Sequence, residues 1–280
     1  MSRLSFGLVL LVGILAGGLG VSLLNRGPGP ISDTTVRGIV AEMLAADAGQ
    51  SPDPAQFNTL IEDYLMDDPA ILDRMAAKLS LAKRAEQQKA QLALLKANYS
   101  AIYDDPANVV LGNPNGDVTL VEMFDYNCSY CRRALPDMAA LLAEDPDLKV
   151  ILKEFPILSD GSVEAAKVAF LVAENDQLNY WEFHQRLFSS RGQVDGGTAL
   201  SAAEEVGGNR VAMMIDMNGK KAADALERNY DLATALKISG TPTFIIGDEL
   251  IPGAVGLEAL RGKIANMRAC GSTVCDAPAG

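Results

Sequence analysis

Apolar positions fall at helical spacing early in the chain and in unbroken runs later, and that change of rhythm divides it. Leu4 to Asn25 carries no charge and is bracketed by Arg3 and Arg26. At 1.5 Å per residue, about 20 such residues cross a hydrocarbon core of about 30 Å. Residues 1–26 are therefore expected to be a transmembrane anchor or a cleaved export signal, and the five glycines in the run keep both readings open. Asn25 to Pro30, rich in glycine and proline, reads as a linker.

From 31 to 103 the spacing is helical. Val36, Ile39, Val40, Met43 and Leu44 share one face, as do Phe57, Leu60, Ile61, Tyr64 and Leu65. Asp68-Pro69 opens a third helix, which the pattern carries to about Ala101. These stripes are too thin to form a core of their own. They must bury against the following domain or against another copy of the chain, so residues 31–103 are a candidate oligomerising region. The polar stretch Lys83 to Gln91 interrupts any continuous coiled-coil seam.

From 107 the runs lengthen. Val118 to Phe124 reads as a buried strand, Ala134 to Leu142 as a helix and Leu148 to Phe155 as a second strand, which together make a βαβ crossover with parallel strands. Gly161 to Leu236 is helical, broken at Gly192, Gly196-Gly197 and Gly207-Gly208. Strand pattern returns at Thr243 to Ile246, Gly247-Asp248 forms a two-residue hairpin turn before Glu249 to Ile251, and a helix from Leu257 to Met267 closes the pattern. The expected class is α/β, a small sheet split by a helical insertion at about 160–236.

Composition narrows the chemistry. With 280 residues, 49% of them hydrophobic, the chain can build cores without disulfides. Its four cysteines stand in two close pairs, a usage that suits redox or metal chemistry better than a stapled scaffold. A net charge of -12 argues against nucleic acid and anionic membrane surfaces as partners, since phosphate would be repelled. His184 is the single histidine. Among Trp181, Phe183 and Leu187 it reads as a packed helix residue, and its isolation argues against a Cys-His hydrolase.

Cys128 and Cys131 lie between the strand ending at Phe124 and the following helix, so they sit at a helix N-terminus. Free backbone N–H groups and the helix dipole there favour an anion and should hold the Cys128 sulfur as a thiolate, the species that attacks disulfides. Cys131, one turn on, is placed to resolve the mixed disulfide. Such chemistry requires no cofactor and no metal. A zinc site completed by Cys270 and Cys275 would need pairs nearly 140 residues apart, far beyond zinc-ribbon spacing of about 20.

Four segments carry a family resemblance: Gly112 to Asp117, Phe124 to Cys131, Tyr180 to His184, and Gly240 to Phe244. Over about 107–275 the chain resembles the thioredoxin-fold thiol-disulfide oxidoreductases of the DsbA family, and its layout, with helices ahead of that domain, is similar to the ScsC-like copper-tolerance members. The resemblance implies that Pro242 is a cis-proline facing the cysteines and that Thr241 touches them, the pair holding a substrate strand. It implies that Glu122 is a buried acid that moves protons for Cys131, the alternative being an edge-strand charge. It further implies a periplasmic location, unfolded or misoxidised exported proteins as substrates, and a membrane redox partner. Ser129-Tyr130 departs from the Pro-His of the strong oxidants, which leaves oxidase and isomerase both open. In an oxidising compartment Cys270 and Cys275 are expected to form a local disulfide, with a second shuttling pair as the alternative. The competing functions are copper binding by the soft thiols, as a metal-tolerance chaperone, and a redox-inert scaffold assembled through the helices.

Overall fold

The unbroken apolar runs become the inner strands of one sheet, covered on both faces. The computed structural model describes residues 54–275. The expected anchor or signal at 1–26 and the helix through Val36 to Leu44 lie outside the described residues. Among the described residues no helix is long and apolar enough to cross a membrane.

The described residues divide into two units, the boundary falling between Ala77 and Lys78. In the first, α1 spans Pro54–Asp67, and α2, Ala70–Ala97, begins and then runs into the second unit. There α3 (Tyr99–Tyr103) follows, then β1 (Val109–Gly112), β2 (Val118–Phe124), α4 (Ser129–Glu144) and β3 (Leu148–Glu154). The insertion holds α5 (Asp160–Ala173), α6 (Tyr180–Ser189), α7 (Gly196–Glu205), α8 (Arg210–Asp216) and α9 (Lys220–Leu236), before β4 (Thr243–Ile246), β5 (Glu249–Pro252) and α10 (Leu257–Cys270).

Strand order is β1-β3-β2-β4-β5. The parallel pair β2–β3 runs in register from Val118 opposite Leu148 to Phe124 opposite Glu154, and its neighbours are antiparallel. Side chains alternate across the sheet. Leu120, Phe124, Val150, Leu152 and Ile246 join Ala134, Met138 and Leu141 of α4, Leu260 and Ile264 of α10, and the insertion in the larger core. Val121, Ile151 and Ile245 face the other way, onto Leu95 of α2, Ile102 of α3 and Leu232 and Leu236 of α9. Leu95 and Ile102 are 4% and 0% exposed. Burying a side chain of that size is worth about 1.5–3 kcal/mol, so this end of the helical region belongs to the domain's core.

Three boundaries differ from those expected. The third helix stops at Ala97 instead of about Ala101, because Asn98 turns its amide back onto the Leu94 carbonyl at 2.9 Å and a separate short helix follows. Strand β1 is not among the expected elements, because Val109 to Leu111 is an apolar run of only three residues directly ahead of Gly112 to Asp117. Helix α4 begins at Ser129, a polar turn ahead of Ala134, and carries Pro136 within it.

Candidate active site

At the end of β2 the chain turns on Asp125, which is fully buried. One carboxylate oxygen accepts from Asn127 N at 2.7 Å, and the other accepts from the amides of Ile157 and Leu158 at 2.8 and 2.9 Å. The Asp125 carbonyl takes the amide of Cys128 at 2.9 Å. That turn delivers Cys128 as the N-cap of α4, where its sulfur accepts from the Cys131 amide at 3.4 Å.

Cys128 is 6% exposed and Cys131 1%. The Cys131 thiol hydrogen bond, a contact to Thr241 and the amides of Cys131 and Tyr130 together outweigh desolvation and hold the Cys128 sulfur down to about 5, from an ordinary 9. Burial, the bond to Cys128 and the charge of Glu122 push Cys131 far the other way. The two sulfurs are thus strongly unequal: one is an anion at neutral pH, the other a thiol. Glu122 lies in the third of five strands, 4% exposed, and is no edge charge. Burial first, then the Cys128 charge, push its carboxyl up to about 8.

The Cys128 thiol, when protonated, donates to the Thr241 carbonyl at 3.1 Å. The Thr241–Pro242 bond is cis, and the Pro242 carbonyl accepts from Gly253 N at 2.8 Å. A groove of about 570 Å³ runs from Gly240, Thr241 and Pro242 to a wall made by Gln87, Gln91 and Leu94 of α2.

Further residues brace this site. The Asn127 amide donates to Ser162 Oγ at 2.9 Å and to the Val194 carbonyl at 2.8 Å, while its oxygen accepts from Val194 N at 2.7 Å. Arg132 donates to the Ser190 carbonyl at 3.1 Å. Behind the loop, the Tyr126 hydroxyl meets Tyr180 at 3.3 Å and His184 Nδ1 at 3.1 Å, and Tyr180 donates to Glu154 at 3.3 Å. Burial pushes His184 down to about 3 and Glu154 well above the carboxylate range, so this cluster is neutral. His184 is packed among rings, as its neighbours in sequence implied. Glu154 had a visible signal, a charge closing an apolar strand; Asn127 had none beyond its place before the cysteine.

Cys270 and Cys275 are bonded to each other in the loop after α10, with Ser272 and Thr273 held to Asp248. With Cys270 and Cys275 bonded to each other, the four-cysteine zinc site is not assembled, and among the described residues no group of three or more His, Cys, Asp or Glu side chains could hold a metal.

A cysteine pair opening the helix of a βαβ unit, its first sulfur against a proline-bearing loop, is the arrangement of a thioredoxin-fold redox domain. A family model described as a DSBA-like thioredoxin domain matches residues 119–265, more than half the chain, and the chain belongs to that family. Fold and family place the domain in the protein disulfide oxidoreductase class. A thioredoxin-like oxidoreductase from Silicibacter pomeroyi is 36% identical, with a TM-score of 0.58 over 61% of this chain and 98% of that one. The catalytic domain of Proteus mirabilis ScsC is 28% identical, with a TM-score of 0.58 over 64% and 98%. Among curated proteins, the Na(+)/H(+) antiporter NhaA 1 of Salinispora arenicola is 26% identical over 68% of this chain, which spans only 29% of that relative's length.

Proposed function

We propose that the protein is a periplasmic thiol-disulfide oxidoreductase that forms or rearranges disulfides in exported proteins. The observation that carries this reading is the inequality of the two sulfurs: Cys128 ionised at an amide-lined helix start, Cys131 buried and protonated beside a carboxyl that titrates at about 8. When the pair is reduced, the Cys128 thiolate attacks a substrate disulfide and expels one substrate thiolate. The mixed disulfide removes the Cys128 charge that helps keep Glu122 protonated; the ionised Glu122 carboxylate then takes the Cys131 proton, and the Cys131 thiolate attacks the Cys128 sulfur and expels the second substrate thiolate. Two electrons pass to the substrate and the pair closes as a disulfide. The reverse sequence oxidises a substrate dithiol, and attack on the mixed disulfide by a different substrate thiolate, which forms a new substrate disulfide and releases Cys128 as thiolate, rearranges the substrate with no net electron transfer. Thr241 and Pro242, at the mouth of the groove, would hold the substrate chain in extended form.

Export is supported by the uncharged stretch Leu4 to Asn25, because disulfide chemistry belongs to oxidising compartments. A membrane redox partner would then reset the pair. Assembly through residues 31–103 is supported by Met66, Leu72 and Met75, apolar side chains exposed in the N-terminal unit. The copper reading draws on the two free thiols, Cys128 and Cys131. Reduction of insulin and refolding of scrambled ribonuclease test the proposal. Both are expected to be abolished in Cys128→Ser, and turnover that survives that substitution would refute it.

A further inference from the structure

The chain as a whole is acidic, with a net charge of -12, yet the surroundings of Cys128 are basic. Among the described residues Arg74, Arg186, Arg210, Arg228, Arg261 and Arg268 are ion-paired with carboxylates. Of the four that are not, Arg84 is on α2, and Arg132, Arg133 and Arg191 gather where the cysteines are. All three are exposed.

Arg132 and Arg133 are held there by specific contacts, and Arg191 by the anchoring of its loop. Arg132 follows Cys128 by one helical turn, its amide bonded to the Cys128 carbonyl at 3.1 Å. The guanidinium of Arg133 lies 4.1 Å over the ring of Tyr130, which is itself 54% exposed within the Cys-x-x-Cys unit. Arg191 follows Ser190, whose carbonyl takes the Arg132 guanidinium, and the loop is pinned at its far end by the paired bonds of Asn127 to Val194. The insertion therefore presents Arg191 beside the redox helix.

These charges are not consumed within the fold. The low Cys128 value is accounted for by the Cys131 thiol, Thr241 and backbone amides. The carboxylate of Asp125 is taken up by three amides, and that of Asp195 caps α7 through Thr198. Guanidinium groups left unpaired at the edge of a reactive centre set a local potential opposite to that of the whole protein, and they match carboxylates in a bound chain.

We infer that Arg132, Arg133 and Arg191 form a selective rim, and that the preferred substrates are extended polypeptides whose reactive cysteine is flanked by Asp or Glu. This rests on the oxidoreductase reading above and names the substrate class of that same site. In the oxidising direction, the peptide thiolate attacks the Cys128 sulfur of the closed pair, and the Cys128–Cys131 bond breaks with Cys131 taking up a proton. A second peptide thiolate then attacks the peptide sulfur of the mixed disulfide and releases Cys128 as thiolate. Two electrons move from peptide to protein. The rim acts in the first step, drawing the acidic flank in so that its sulfur faces Cys128.

The test uses the oxidised full-length chain and three dithiol peptides that differ only in carrying Glu, Gln or Lys beside each cysteine, with loss of peptide thiols followed in time. The Glu peptide is expected to be oxidised about 10-fold faster than the Lys peptide at low ionic strength, and the ratio should shrink as salt rises, because exposed charges are screened. The double variant Arg133→Glu/Arg191→Glu should invert the order. Arg133→Lys/Arg191→Lys should keep it, separating charge from fold. Comparing the Glu-to-Lys ratio between proteins cancels the effect of the flank on the peptide thiols' own acidity. An identical ratio in wild type and charge-reversed variant, or a ratio indifferent to salt, overturns the inference. Wild-type oxidation of all three peptides at one rate overturns it while leaving the oxidoreductase reading intact; oxidation of none overturns both.

Discussion

The sharpest consequence of the site concerns how the alkylation rate of Cys128 varies with pH. At pH 7 a thiol titrating at 9 is about 1% ionised, whereas one titrating at about 5 is about 99% ionised, so the thiolate population rises about a hundredfold. A less basic sulfur is also a weaker nucleophile. A Brønsted slope of about 0.4–0.5 across the fall from 9 to about 5 lowers the intrinsic reactivity about 40- to 100-fold. The two effects nearly cancel, so the rate at pH 7 alone does not discriminate, but the shape of the profile does. With iodoacetamide and site-resolved mass spectrometry on the reduced protein, Cys128 labelling is expected to be flat above about pH 6.5 and to fall with a midpoint of about 5. Cys131→Ala removes the strongest of the contacts that hold the value down and leaves the amide at 3.4 Å, so the midpoint should climb by one pH unit or more. A wild-type rate still rising through pH 8 to 9, or an unmoved midpoint in Cys131→Ala, would refute the account of the site.

Three further outcomes follow from burial and bonding. The Glu122 carboxyl, raised from 4.5 to about 8, keeps its proton in the fold where the unfolded chain has lost it. Its cost therefore grows as pH rises through that interval and is complete above pH 8, with a ceiling of about 5 kcal/mol. Thermal melts should show Glu122→Gln stabilising the reduced protein more at pH 9 than at pH 5; equal increments would contradict this. Asn127→Ala strands the Val194 amide and carbonyl and takes one partner from the Ser162 hydroxyl, and should cost about 2–4 kcal/mol in urea unfolding; a loss under about 1 kcal/mol would disprove this. Leu95→Ala should cost about 2–4 kcal/mol in the full chain, and a neutral result would remove α2 from the domain's core.

How far the chain could be read beforehand depended on whether a feature is local. The parallel strands, the hairpin at Gly247-Asp248 and the placement of Cys128 at a helix start follow from runs, turn residues and spacing, and all appear in the structure. Strand β1 has only the three apolar residues Val109 to Leu111 to announce it, too short a run to stand out, and it lies antiparallel on the edge of β3. The contact between Cys128 and Thr241 joins positions 113 residues apart, and it was reached through family resemblance, not through spacing. The role of Asn127 depends on Val194, 67 residues on, and no local pattern links them. Charges inside apolar strands were the one usable long-range signal. Glu122, Lys153 and Glu154 interrupt β2 and β3, and all three are buried with strongly displaced titration.

Pro136, two turns into the cysteine helix, has no N–H to offer the Arg132 carbonyl one turn before it. The segment bearing both sulfurs is therefore laced to the remainder of its own helix by one rung fewer than a regular helix would provide. When a covalent link between Cys128 and Cys131 closes or opens, that first turn can re-seat while Met138 and Leu141 stay locked in the core. A missing bond in the scaffold thus gives the reactive end a mechanical freedom that the rest of the domain does not share.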